Sequence, residues 1–210
     1  MPLLAYCILL DGGAIKFPAE GVLGSKPEPI AKAGLIAICS KMEPTVISAG
    51  NFQPAALEFH RFIQAVFAER AVIPFRFPTW LSLDEIKAHV RQESSRYKEF
   101  LIRHADHVQM EVRIASQERS TPQGSTGAEH LRARAAQIRA VGEQAKQVRH
   151  QLADTVIEWR EREAADGIRL YALVSRNSVE PFRERLNRIS MRTSGPWPAT
   201  EFFELPSVRH

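Results

Sequence analysis

Hydrophobic periodicity switches repeatedly along this chain between a repeat of two and a repeat of 3.6. That switching restricts it to folds that carry both sheets and helices. Leu3 to Leu10 and Gly34 to Ser40 are short apolar runs punctuated by Gly and Pro, and both predict strands. Between them, Asp11 to Lys32 carries four glycines and three prolines, a composition that predicts a loop. Pro54 suits the first turn of a helix, and Ala56, Phe59, Ile63, Val66 and Phe67 follow at helical spacing. Ala71 to Trp80 alternates apolar positions with prolines, which predicts an edge strand or an irregular pairing.

Ser82 with Glu85 forms a capping box that opens a helix through Ile86, Val90, Tyr97 and Leu101, ending near His104. Val108 to Ile114 alternates as a strand with one wet face. Gln117 to Gly127, rich in Ser, Thr, Gly and Pro, reads as a linker or mobile loop. Thr126 with Glu129 is a second capping box. The helix after it is predicted to run through Leu131, Ala135, Ile138, Ala145, Leu152, Val156 and Trp159, with a kink at Gly142 and a stop at Gly167. Ile168 to Val174 reads as a strand, Val179 to Ile189 as a helix and Glu201 to Leu205 as a last short strand. This order predicts an α+β fold of two domains, residues 1–107 and 108–210, each a small sheet covered by helices. The strand–helix–strand–helix–strand order of the second half is compatible with a ferredoxin-like unit carrying a long helix and an extended tail.

Composition narrows the function classes. With 44% apolar and 25% charged residues, the 210-residue chain has the profile of a folded globular protein. No apolar run approaches the roughly 20 residues of a membrane span. The opening MPLLAYCILLDGG lacks a basic n-region, so it reads as a strand rather than a signal peptide, and a cytoplasmic location is expected. Cys7 and Cys39 each sit inside an apolar run and are expected to be reduced core thiols. A net charge of +4 permits acidic partners without identifying any.

Three stretches together resemble the GvpF/GvpL gas-vesicle family. The first is Leu4-Ala5-Tyr6-Cys7-Ile8-Leu9 with Gly34-Leu35-Ile36-Ala37-Ile38-Cys39-Ser40, which is similar to that family's opening strand pair. The second is His60 followed by Val72-Ile73-Pro74-Phe75-Arg76-Phe77-Pro78-Thr79 and Ser82-Leu83-Asp84-Glu85-Ile86, similar to a helical His and a "vlP-(l/m)-r-F-G-T" run leading into an acidic helix. The third is Ser194 to Phe202, SGPWPATEF, which resembles a near-terminal "t-G-P-W-P-P-Y-s-F". Pro78 stands where the family usually has Gly, Ala199-Thr200 where it has Pro-Tyr, and His130-Leu131 where Tyr-Leu is common. The resemblance implies a two-domain α+β protein of gas vesicles, the second domain related to the ferredoxin-like fold. It would be an accessory or minor structural component that contacts the small hydrophobic shell protein and other accessory proteins.

Individual residues admit a structural and a functional reading. Pro196 and Pro198 bias Trp197 toward extended chain, where the ring either packs on its own sheet or anchors a partner. Arg76, between Phe75 and Phe77, is expected in a structural ion pair with an acid of the long helix, with solvation or a partner contact as alternatives. His104, Asp106 and His107 match no common zinc spacing and read as a polar helix end. His60 reads as a core or boundary histidine. The mixed charges of the long helix read as a solvated, ion-paired face, and its apolar stripe as packed on its own sheet before any partner helix.

No phosphate-cradling glycine motif, nucleophile elbow or acid–base pair is present, so no catalytic, cofactor or metal residues are assigned. The expected mechanism is burial of apolar surface together with backbone pairing along an exposed sheet edge. Phe75, Arg76, Trp80, Trp197 and Phe202 are the candidate contacts. The alternatives are a nucleic-acid-associated module using the long helix, an enzyme with a pocket near His60, or a divergent family member with another protein partner.

Overall fold

The computed structural model describes residues 1–115, 127–164 and 166–203. The chain forms two compact units, Met1–Asp106 and His107–His210. The fold is α+β, with one small antiparallel sheet and its helices in each unit.

In the first unit, β1 (Leu3–Leu10) lies between β3 (Leu35–Lys41) and two short strands, β4 (Ile73–Pro74) and β5 (Trp80–Leu81), while β2 (Pro27–Lys32) flanks β3. Every β1 residue from Leu3 to Leu9 is buried, which explains its continuous apolar run: a central strand is covered on both faces. The expected loop over 11–32 is corrected at its C-terminal end, where β2 pairs with β3 from Pro27↔Ser40 to Lys32↔Leu35. Pro27 and Pro29 have the same parity on an edge strand, so their missing N–H groups fall on the outer side and cost no ladder bond. Ala33 and Gly34 both adopt positive φ, 52° and 72°, which closes the two-residue hairpin with the twist its strands need.

Helix α1 (Phe52–Glu69) buries Ala55, Phe59, Phe62, Ile63, Val66 and Phe67. Its rings meet Tyr6 of β1, with centroids 5.4 Å from Phe59 and 4.3 Å from Phe62. The Tyr6 hydroxyl is fully buried but not orphaned. It accepts from the Val22 N–H at 3.0 Å, donates to Ser40 Oγ at 3.1 Å and lies 3.2 Å from Ser25 Oγ. His60 is exposed on this helix rather than at the core.

The single helix expected after Ser82 divides into α2 (Leu83–Gln92) and α3 (Ser94–Arg103) at Glu93, whose backbone leaves the helical region with ψ 3°. The expected capping box is formed: the Glu85 N–H donates to Ser82 Oγ at 3.2 Å, and the Ser82 N–H donates to the Glu85 carboxylate at 2.7 Å. The break falls in the polar run Gln92-Glu93-Ser94-Ser95, where no apolar side chain holds the helix to the core. It leaves Ile86 and Val90 of α2, and Tyr97, Phe100 and Leu101 of α3, all buried.

The second unit has β6 (His107–Ala115), α4 (Gly127–Gln151), β7 (Val156–Ala164), β8 (Gly167–Ser175), α5 (Val179–Arg188) and β9 (Thr193–Trp197). Its strands lie in the order β7-β8-β6-β9 with every neighbouring pair antiparallel. Each helix therefore connects two strands that run the same way with another strand between them.

Two expectations are corrected here. The long helix stops at Gln151 rather than Gly167, and its last predicted turns, with Val156 and Trp159, form β7. Val156-Ile157-Glu158-Trp159 is rich in β-branched and aromatic residues, and the arginines after it pair along the strand and with the C-terminal 3-10 turn. Arg160 meets Glu158 at 3.1 Å and Arg162 meets Glu201 at 2.7 Å. Gly167 opens β8 rather than ending a helix, and α4 runs unbroken through Gly142.

The last strand is Thr193–Trp197. Thr200–Phe202 is a short 3-10 turn where a strand was expected, and Leu205 lies outside the described residues. Residues 117–126 of the expected linker and the Thr126 capping box also lie outside them.

Candidate functional site: the open edge of the first sheet

Opposite β2, the first sheet ends in an interrupted edge. β4 pairs with β1 through Cys7↔Pro74 and Ile8↔Ile73, and β5 through Leu3↔Leu81 and Leu4↔Trp80. Between them the chain keeps two further ladder bonds, Phe75 N–H to the Tyr6 carbonyl at 2.8 Å and Ala5 N–H to the Thr79 carbonyl at 3.0 Å. Residues 76–78 bow away from β1, and the bow contains a cis Phe77–Pro78 peptide and a hydrogen bond from Thr79 Oγ1 to the Arg76 carbonyl. Pro78 supplies this geometry where the resembled family usually has Gly.

The bow sends the two phenylalanines to different helices. Phe77 packs 5.1 Å from Phe59 and 5.4 Å from Phe52 of α1, while Phe75 lies 5.9 Å from the His89 ring of α2. Arg76 is exposed, and among the described residues its guanidinium has no ion pair or hydrogen bond in place of the expected structural one. Arg76 lines, with Ile8, Pro74, Phe75, His89 and Tyr97 among others, a groove of about 350 Å³. The lining is mostly apolar, and two of its polar groups engage each other: the Tyr97 hydroxyl and His89 Nε2 are 2.8 Å apart. Burial, and then Glu93, push the Tyr97 hydroxyl above its ordinary pKa, so it stays neutral. The groove suits an apolar side chain entering from a strand laid along the edge, with Arg76 available to an acidic neighbour.

Trp80 is half-buried at the end of this edge. Trp197 and Phe202 belong to the other unit. Trp197 is half-buried as the last residue of β9, opposite Gln109, and its indole N–H reaches Ser194 Oγ at 3.4 Å. Phe202 is only 4% exposed and lies under the Arg160 guanidinium at 5.3 Å, so it packs the tail rather than meeting solvent. Arg183 secures the same tail by donating to the Gly195 carbonyl at 2.6 Å. The sequence placed Tyr97 on the apolar face of the helix after Ser82 but did not single out His89, which stands three positions after Ile86, next to that stripe, the one signal that it borders a packed face.

The two thiols are shielded from solvent chemistry. Cys7 and Cys39 are free and buried on neighbouring strands. Burial pushes the Cys39 thiol up to about 12 and Cys7 higher still, so neither is a nucleophile near neutral pH. His104, the C-cap residue of α3, is buried against Phe100 with ring centroids 4.6 Å apart, while Asp106 beyond it is exposed. Among the described residues no group of three His, Cys, Asp or Glu side chains is placed to hold a metal ion, and no helix is long and apolar enough to cross a membrane.

The architecture is that of two solved gas vesicle proteins. GvpF from Anabaena sp. PCC7120 superposes with a TM-score of 0.77 at 12% identity, covering 100% of this chain and 98% of that one. GvpF from Microcystis aeruginosa gives 0.76 at 14% identity, covering 97% and 99%. Among curated proteins, none matches. The family model described as gas vesicle synthesis protein GvpL/GvpF matches residues 2–204. This chain belongs to that family.

Proposed function

We propose that the protein is an accessory or minor structural component of gas vesicles that binds the small hydrophobic shell protein and supports vesicle assembly, by surface complementarity rather than catalysis. The supporting observation is the open edge at 73–81, where an apolar groove lies beside the exposed Arg76. An extended apolar segment laid along that edge would place alternate side chains in the groove and an acidic residue beside the guanidinium. Phe75, Arg76 and Trp80 are the contacts of this reading, and the half-buried Trp197 is a second contact on the other unit. Membership of a gas vesicle family supports the vesicle as the location, reached from the cytoplasm, with other vesicle proteins as further partners. The strand order of the second unit supports reading it as ferredoxin-like, and the expected 107/108 boundary falls one residue after the start of that unit at His107.

Co-precipitation with the shell protein tests this function. Phe75→Ala combined with Arg76→Glu is expected to weaken capture at least about tenfold, or about 1.4 kcal/mol, while thermal stability stays near that of the parent. Undiminished capture by the double variant refutes the edge as the contact; no capture by the unaltered protein refutes the function.

A further inference from the structure

Helix α4 packs along only half of its length. From Val141 onward, Val141, Ala145, Val148 and Leu152 recur at helical spacing and are all buried. Before Val141 the helix has no such anchor: among the described side chains of residues 127–140, only Gln137 is even half-buried. Those 14 residues span about 21 Å at 1.5 Å per residue. They nonetheless carry an apolar stripe at i, i+4 and i+7, formed by Leu131, Ala135 and Ile138, with Leu131 68% and Ile138 65% exposed. A helix of this length gains little stability from propensity alone, and large aliphatic side chains in water contribute nothing to it. The polar segment 116–126 that precedes α4 has no aliphatic side chain larger than Ala or Pro, and so nothing with which to cover the stripe.

Charge identifies what fits there. At 3.6 residues per turn Arg134 flanks one side of the stripe, Arg132 and Arg139 flank the other, and Glu129 falls on the opposite face of the helix. Three arginines against one glutamate make this half basic. A second copy of the chain would set guanidinium against guanidinium along both flanks. A helix with an apolar stripe bordered by carboxylates would match both features.

We propose that the N-terminal half of α4 is a docking helix for an acidic amphipathic helix of a partner protein. This helix belongs to the second unit and the sheet edge to the first, and different variants test them, so either proposal stands or falls without the other.

The test uses the full chain and two labelled synthetic helical peptides with leucines at helical spacing, one flanked by glutamates and one by lysines. Fluorescence anisotropy should show the unaltered protein binding the glutamate peptide at least about tenfold more tightly than the lysine peptide. Leu131→Glu with Ile138→Glu should abolish that binding, and Arg132→Glu, Arg134→Glu and Arg139→Glu together should reverse the preference. Circular dichroism reports whether each variant keeps its helix, and the arginine variant carries the test if the apolar one does not. Equal binding of both peptides, or of neither, overturns the proposal. So does a dimer of the unaltered protein, seen by sedimentation, that the Leu131/Ile138 variant turns to monomer, or binding to phosphatidylglycerol vesicles in preference to the peptide.

Discussion

Gly195 illustrates how a single residue sets the course of the C-terminal tail. Its φ of +117° lies where L side chains are rarely found, and a Cβ there would meet the Gln109 carbonyl oxygen at 2.9 Å and Met110 Sδ at 3.0 Å. Only glycine allows β9 to approach β6 this closely at the irregularity in their pairing. Gly195→Ala is expected to destabilise the fold by about 1–3 kcal/mol, read as a lower midpoint in urea unfolding. Tyr6 is the corresponding residue in the first unit. Its hydroxyl serves the Val22 N–H and two serines at once, so the core keeps a polar atom without leaving it unsatisfied. Reading the sequence placed Tyr6 in a strand but not this network, because its partners lie 16 to 34 residues away. Arg76 was legible as a candidate contact, but its lack of an ion pair was not, since pairing depends on which acids the fold brings near.

Among the elements, α2 has the most testable terminus. The Ser82 N–H and hydroxyl hold the Glu85 carboxyl below its ordinary pKa. A depressed carboxylate stabilises the fold fully above its unfolded pKa and loses that contribution as pH falls through the folded one. Glu85→Gln is therefore expected to lower stability at neutral pH and to narrow the gap from the parent as pH drops below about 4, read from melting temperature across pH. The capping box was legible because it is local: four residues specify it. β1 and β3 were legible as unbroken apolar runs because both faces are covered, and α1 and α5 because burial imposes a helical period on each.

β2 was missed because its prolines signal a loop, and only the edge position that sheet order supplies makes them tolerable. β7 was mistaken for helix because Val156 and Trp159 continue the spacing of α4, while the pairing with β8 that decides the matter is non-local. Of the candidate contacts, Phe75, Arg76 and Trp80 fall on one edge. Phe202 turns inward, buried with the Arg160 guanidinium over its ring.

At the scale of the molecule, two sheets of different character sit in one chain. The first leaves an interrupted strand at its margin, with an apolar groove and an exposed cation beside it. The second has a four-stranded sheet closed at one margin by a pinned tail and carries a helix longer than the sheet that supports it. Exposed apolar surface of this kind is what the proposed contact role requires. On the proposed function, the shell protein pairs with the edge at 73–81. Hydrogen exchange of the backbone amides, with and without purified shell protein, measures this directly. The account predicts that exchange slows across residues 73–81 on addition of the shell protein, while β2 at the opposite margin is unaffected. Unchanged exchange across 73–81 in a sample where the shell protein is demonstrably bound would contradict it.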